Sequence, residues 1–173
     1  MLETKIGIYK AHEDAILPTQ NINDIGFDIY AIEDKEINSL SVGKIDTGLK
    51  FSEIPKIPCS LSEKQIYSSE FMATNVVDNR WSLETKIEGR SGMASRGIFP
   101  VGGIIDPSYT GPIIVCLFNS TADSYFVKKG DKIAQLVIRP VLANTKEHKV
   151  TFEFRDYQEK TERGNNGFGS SGN

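Results

Sequence analysis

The sequence predicts an all-β domain, a jelly-roll-like sandwich or barrel with Greek-key connections, and three observations carry that prediction. Short alternating or β-branched runs bounded by turn residues recur along the chain. No window of helical length shows a sustained 3.6-residue period. The length, 173 residues of which 39% are hydrophobic and 25% charged, suits one soluble core and is too short for two ordinary catalytic domains. In order, the expected strands are 2–9, where Leu2, Ile6 and Ile8 share one alternation, and 27–31, where Phe27, Ile29 and Ala31 alternate with Asp28 and Tyr30. Next come 42–51, with Ile45, Leu49 and Phe51 set against Lys44, Asp46 and Lys50, and 83–88, with Leu83 and Ile87 set against Glu84, Lys86 and Glu88. The run 113–118 is apolar throughout, 132–138 carries Gln135 among apolar neighbours, and 149–154 alternates Val150, Phe152 and Phe154 with Lys149, Thr151 and Glu153. Helix is expected only as a turn or two after Arg90 and over 63–73.

Two stretches break the rhythm. Residues 52–81 carry Pro55, Pro58, a Ser-rich patch and the lone aromatics Tyr67 and Phe71, the mark of a long surface insertion with some structure of its own. Residues 161–173 set Gly164, Gly167, Gly169 and Gly172 among polar residues and offer a core almost nothing. The expected organisation is one β domain over 1–160, with the insertion at about 52–81, and a mobile tail over 161–173.

Charge and side-chain chemistry exclude several classes. With 20 Lys+Arg against 23 Asp+Glu, a formal charge of -3, the chain lacks the basic stripe that neutralises a run of nucleic-acid phosphates. Phosphate binding must therefore be local and geometric. The longest apolar stretch, 113–118, is far below the ~18 residues of a membrane span, and residues 1–9 hold no signal-peptide core, so an intracellular protein is expected. Cys59, Cys116, His12 and His148 are scattered, which disfavours a disulfide framework, a zinc site and a Cys/His catalytic pair.

Five segments combine chemistry-bearing residues with permissive backbone, and each has a plain alternative. In 25–31, Asp28 stands where a strand expects an apolar residue; it is either a structural Asp bonded to a turn or a carboxylate facing phosphates through a hydrated Mg²⁺. Gly89, Arg90, Ser91 and Gly92 outline an anion cradle, or a helix start capped by Ser91. The stretch 102–111 reads as a β-hairpin carrying Asp106 and Tyr109, with glycines that admit a flat ligand, or as a turn opened by Asp106 and Pro107. Gly130 and Asp131 turn into a strand whose Gln135 either reaches a phosphate or faces water. The segment 163–172 offers Arg163, Phe168, glycines and hydroxyls, the parts of a flexible lid or of an inert tail; with no strand closely before it and no helix after it, it is not a P-loop.

Taken together and in this order, the five segments resemble the five motifs of the homotrimeric deoxyuridine triphosphatases (dUTPases), across nearly the whole chain. Departures are Gly89 where the family usually has Pro, Ser108 where an acid often precedes the Tyr, and Asn166 where the tail usually has Gly. The 41 residues between Gly48 and Arg90 exceed the family's usual spacing, which supports the insertion.

The resemblance implies hydrolysis of dUTP to dUMP and pyrophosphate with Mg²⁺, which limits uracil in DNA and supplies dUMP for dTMP synthesis. It further implies a homotrimer whose sites take the hairpin from one subunit, the phosphate motifs from a second and the tail from a third. On these positions Asp106 orients and deprotonates the water that attacks the α-phosphorus and holds the 3′-hydroxyl. Arg90, Ser91, Gly92 and Gln135 hold the triphosphate, and Asp28 reaches Mg²⁺ through water. The backbone of Gly103, Ile104 and Ile105, together with Ile114, reads uracil, and Tyr109 packs on the sugar. Arg163 clamps the γ-phosphate while Phe168, Gly169 and Ser170 close over the nucleotide. A dCTP deaminase, similar in fold, is disfavoured because 112–119 holds no acid. The rival from another class is a regulatory or partner-binding trimer that uses the 52–81 insertion.

Overall fold

Alternation does most of the folding here. In the computed structural model, which describes residues 6–52, 81–106, 108–142, 144 and 149–155, ten strands and one short helix are present among those residues. They are β1 (Ile8–Lys10), β2 (Phe27–Tyr30), β3 (Lys35–Ile37), β4 (Ser41–Phe51), β5 (Trp81–Glu88), α1 (Ser91–Ala94), β6 (Ile98–Val101), β7 (Ile104–Ile105), β8 (Pro112–Asn119), β9 (Tyr125–Val127) and β10 (Lys132–Leu142). One sheet runs β1-β4-β8-β6, a second β2-β10-β5-β7, and β3 pairs with β9 in a third. All described strand pairs are antiparallel, so each strand can bury one face and wet the other.

That is the pattern seen. Ile113, Val115 and Leu117 of β8 and Ile45 and Leu49 of β4 point into one core with Ile29, Ile37, Ile98, Ile133 and Leu136. Each such side chain contributes about 1.5–3 kcal/mol by leaving water. Buried polar groups are satisfied. The Asn119 amide donates to the carbonyls of Ile37 (3.1 Å), Asn38 (3.2 Å) and Asp123 (2.8 Å) and accepts from the Thr121 N–H (3.0 Å) and hydroxyl (2.7 Å). One side chain thereby ties the β8–β9 turn to the end of β3.

The structure corrects several expectations. Residues 149–155 are not a strand: Val150, Phe152 and Phe154 are exposed, because alternation makes a strand only where a sheet offers an edge and a face. The first strand begins at Ile8 and runs one residue beyond Tyr9. Strands β3, β6, β7 and β9, each of two to four residues, were too short for periodicity to mark. The stretch 102–111 is not a paired hairpin. Its strand β7 joins β5, in register Ile104↔Lys86 and Ile105↔Thr85, whereas β8 lies in the other sheet. The chain thus crosses between sheets there. The expected helix at 63–73 and nearly all of the insertion, the tail residues and the 160/161 boundary lie outside the described residues.

Candidate active site

Two clusters hold the expected site residues. The first is built by register across β2, β10 and β5, where Asp28 faces Gln135 and Gln135 faces Glu88, so three side chains share one level of one face. Arg90 reaches the same place from the turn after β5. Its Nε donates to Asp28 Oδ1 at 3.0 Å and its Nη1 to the Lys132 carbonyl at 3.2 Å. Gln135 Nε2 donates to the same Oδ1 at 3.5 Å, and Lys132 Nζ lies 2.8 Å from Oδ2. A Cβ at residue 26 would stand 2.9 Å from Gln135 Cδ, so Gly26 is what lets β2 pass this close to the amide.

The backbone of Asp28 is clamped as well, its N–H donating to Thr19 O at 2.7 Å and its carbonyl accepting from Thr19 N at 3.1 Å. Partial burial pushes the Asp28 carboxyl up, but the Lys132 ammonium and the Arg90 guanidinium outweigh it and hold the group below the ordinary carboxylate range. Asp28 is therefore ion-paired on both oxygens, to Arg90 in the turn after β5 and to Lys132 at the start of β10.

In α1, Ser91 is the first helical residue rather than the cap. Arg90 occupies the cap position, with extended backbone (φ -90°, ψ 134°) and no side-chain cap hydrogen bond. Its guanidinium is thus committed to Asp28. Gly92, exposed in the same turn, would accept a Cβ without contact, so nothing among the described residues requires glycine there.

The second cluster is the 102–111 crossover. Gly103 passes over β5 so tightly that an added Cβ would lie 2.3 Å from the Ile87 carbonyl oxygen, while Ile87 N donates to Gly103 O at 2.7 Å. Ile105 is buried in the core and its carbonyl accepts from the Thr85 hydroxyl at 3.3 Å, so only its backbone can meet a ligand. Ile104 is exposed on β7, the outer strand of its sheet. Asp106 and Tyr109 are both exposed on a turn closed by Tyr109 N donating to Asp106 O at 2.9 Å. The Tyr109 hydroxyl donates to Pro112 O at 3.0 Å, which fixes the ring over the turn. Ile114 projects from the outward face of β8, in the other sheet.

The clusters are well separated. Ile105 pairs with Thr85, so Asp106 falls beside Glu84. Six residues of extended chain then separate it from Arg90, roughly 20 Å. The two clusters therefore stand apart along β5.

Sequence reasoning missed Lys132 and Glu88. Glu88, whose carboxylate accepts from Lys86 Nζ at 2.6 Å, could have been found from its place in the β5 alternation. Lys132 could not, because on strict alternation it and Gln135 fall on opposite faces. Among the described residues no three His, Cys, Asp or Glu side chains gather as a metal cage, and both Asp28 oxygens are engaged by cations. This donor set fits a cation carried on a nucleotide's phosphates and met by one carboxylate through water. Arg163, Phe168, Gly169 and Ser170 lie outside the described residues.

Comparison with known proteins shows what the chain is similar to. The family model described as dUTPase matches residues 56–172. The deoxyuridine 5′-triphosphate nucleotidohydrolase of Yarrowia lipolytica is 32% identical over 163 residues, covering 93% of this chain and 85% of its own. That of Clostridium tetani is 32% identical over 176 residues, covering 99% of each. Among solved structures, the Staphylococcus bacteriophage 80alpha dUTPase G164S mutant with dUpNHpp superposes with a TM-score of 0.67 at 21% identity, over 97% of this chain and 98% of that one.

Proposed function

The chain belongs to the dUTPase family, and on that premise we propose that it hydrolyses dUTP to dUMP and pyrophosphate, with Asp106 as general base for water attacking the α-phosphorus. The observation that supports it most is the convergence of Asp28, Arg90 and Gln135, residues from three distant stretches of sequence, into one anion-binding corner. Arg90 presents the edge of its guanidinium not spent on Asp28 and Lys132, and the Ser91 hydroxyl and Gly92 backbone lie in the adjoining turn. Asp106, exposed and outside every ion pair among the described residues, is available to orient a water and accept its proton. Positioning and charge neutralisation do most of the work in such a displacement. Mg²⁺ on the phosphates would supply charge neutralisation, and Asp28 is the carboxylate that would meet it through water.

Base and sugar selection follow from the crossover. The outer edge of β7 offers main-chain groups at Ile104 to a flat base, and backbone held this close to Ile87 leaves little room for a C5 methyl. The backbone around Ile114 joins that of Ile104 in pairing with uracil, and Tyr109 packs on a sugar without a 2′-hydroxyl. Arg163, Phe168, Gly169 and Ser170 form the lid in this reading. Removal of dUTP limits uracil in DNA and the dUMP formed feeds dTMP synthesis, which sets the place of action inside a cell.

The separation of Asp106 from Arg90 argues that sites are shared between copies, and we take the assembly to be a homotrimer. The outward face of the β1-β4-β8-β6 sheet supports this: Val42, Phe118 and Phe99 stand in register across three strands, with Cys116 and Val101 beside them. That is an apolar surface a monomer would leave wet. The test is a pyrophosphate-release assay across dUTP, dTTP, dCTP and UTP with Mg²⁺. Turnover confined to dUTP supports the reading; turnover of none, or of all alike, refutes it.

A further inference from the structure

Strand β10 carries an irregularity whose effect is to move one cation. Opposite β2 the register reads Lys132↔Tyr30, Ala134↔Ile29 and Gln135↔Asp28, so two residues of β10 oppose one of β2 around Ile133. Such a bulge re-aims the side chains before it. Ile133 and Ala134 are both buried in succession, and Lys132 therefore emerges on the face that carries Gln135 and Asp28. On unbroken alternation it would share the inward face of Ala134 and Leu136, where an unpaired ammonium is prohibitive.

Re-aimed, Lys132 makes three contacts at the corner. Its Nζ lies 2.8 Å from Asp28 Oδ2 and 5.9 Å from the centroid of the Tyr30 ring, and its carbonyl accepts from Arg90 Nη1 at 3.2 Å. Arg90 Nε is on the other Asp28 oxygen at 3.0 Å. Thus both atoms that orient the guanidinium, Asp28 Oδ1 and the Lys132 carbonyl oxygen, are set by one residue: the carbonyl directly, the carboxylate through the ammonium on its far side.

We propose that Lys132 is a positioning residue for triphosphate binding, neutralising and orienting Asp28 so that Arg90 is held with its free edge toward the phosphates. The inference rests on the dUTPase reading of the corner and adds a residue to it. Without the ammonium, Asp28 keeps a full charge satisfied by Arg90 and the Gln135 amide alone, and the carboxylate then competes with phosphate for the same guanidinium. The loss falls on binding, so KM rises while kcat moves little.

The test is the affinity of the full-length trimer for the α,β-imido analogue of dUTP, by calorimetry, in a double-mutant cycle with Asp28→Asn. Lys132→Met is expected to weaken binding by about tenfold, and Lys132→Arg to recover most of it. In the Asp28→Asn background the same Lys132→Met change is expected to cost less than about twofold, because its target charge is gone. Lys132 is substantially exposed, so folding should survive; Lys132→Gln serves if the Met variant does not assemble. Unchanged affinity in Lys132→Met overturns the proposal, and so does an equal loss in both backgrounds, which would make Lys132 a direct phosphate ligand. A wild-type protein that does not bind the analogue removes the dUTPase reading and this proposal together, whereas the first two outcomes leave that reading standing.

Discussion

The anion corner and the 102–111 crossover are built on opposite plans. At the corner, cross-strand register brings Asp28, Gln135 and Glu88 to one level, and Arg90 and Lys132 lock the carboxylate between two cations. Every charged group there already has a partner. At the crossover Gly103 is pressed on Ile87 and the Tyr109 hydroxyl donates to Pro112 O, yet the Asp106 carboxylate faces solvent. Such a contrast suits the proposed hydrolysis, in which the corner would bind phosphates with little reorganisation and Asp106, as the proposed base, would stay open to a water.

The contrast can be broken first at its open end. Asp106→Asn should lower kcat by several orders of magnitude while affinity for the imido analogue stays within a few-fold, because the amide keeps the shape and loses the base. Wild-type turnover in that variant would take the general base elsewhere. A smaller loss is expected from Gly103→Ala, where a Cβ 2.3 Å from the Ile87 carbonyl oxygen must displace β7. We expect kcat/KM for dUTP to fall about tenfold or more, with a melting temperature several degrees lower. An alanine variant with unchanged kinetics would show that the close approach has no part in base reading.

Tyr109→Ala should act on selectivity alone, raising the kcat/KM for UTP relative to dUTP by about tenfold. If the ratio stays put, the sugar is read by other atoms. The smallest effect is expected from replacing residues 57–79 with a short Gly/Ser linker, which should leave dUTP hydrolysis within a few-fold, since surface loops tolerate changes of length. A trimeric but inactive protein would place that segment in the active site.

How legible these regions were differs for physical reasons. Strands β4, β5 and β8 are long enough for alternation to show, and their inward residues could be read directly. The corner was legible in its parts, because Asp28 interrupts a strand and Arg90 follows one, but not in its assembly. Lys132 enters only through a bulge, and a bulge leaves no periodic trace. The crossover was misread as a hairpin since glycines and Asp106-Pro107 announce a turn without telling which strand β7 will join. Phe152 and Phe154 misled in the other direction, for a strand pattern without a neighbouring edge stays irregular and exposed. The proposal of Asp106 as base rests on likeness to a family, as nothing among the described residues around it singles it out.

The central claim, that the base and the anion corner of one site come from different chains, is best tested by complementation. Asp106→Asn chains and Arg90→Ala chains, each inactive alone, are co-expressed at equal levels and the mixed trimers isolated. A whole site needs Asp106 from an Arg90→Ala chain and Arg90 from an Asp106→Asn chain, and every mixed trimer holds one such site in three, so about one third of wild-type activity should return. Mixed trimers that recover no activity would contradict the claim and put Asp106 and Arg90 of each site in the same chain.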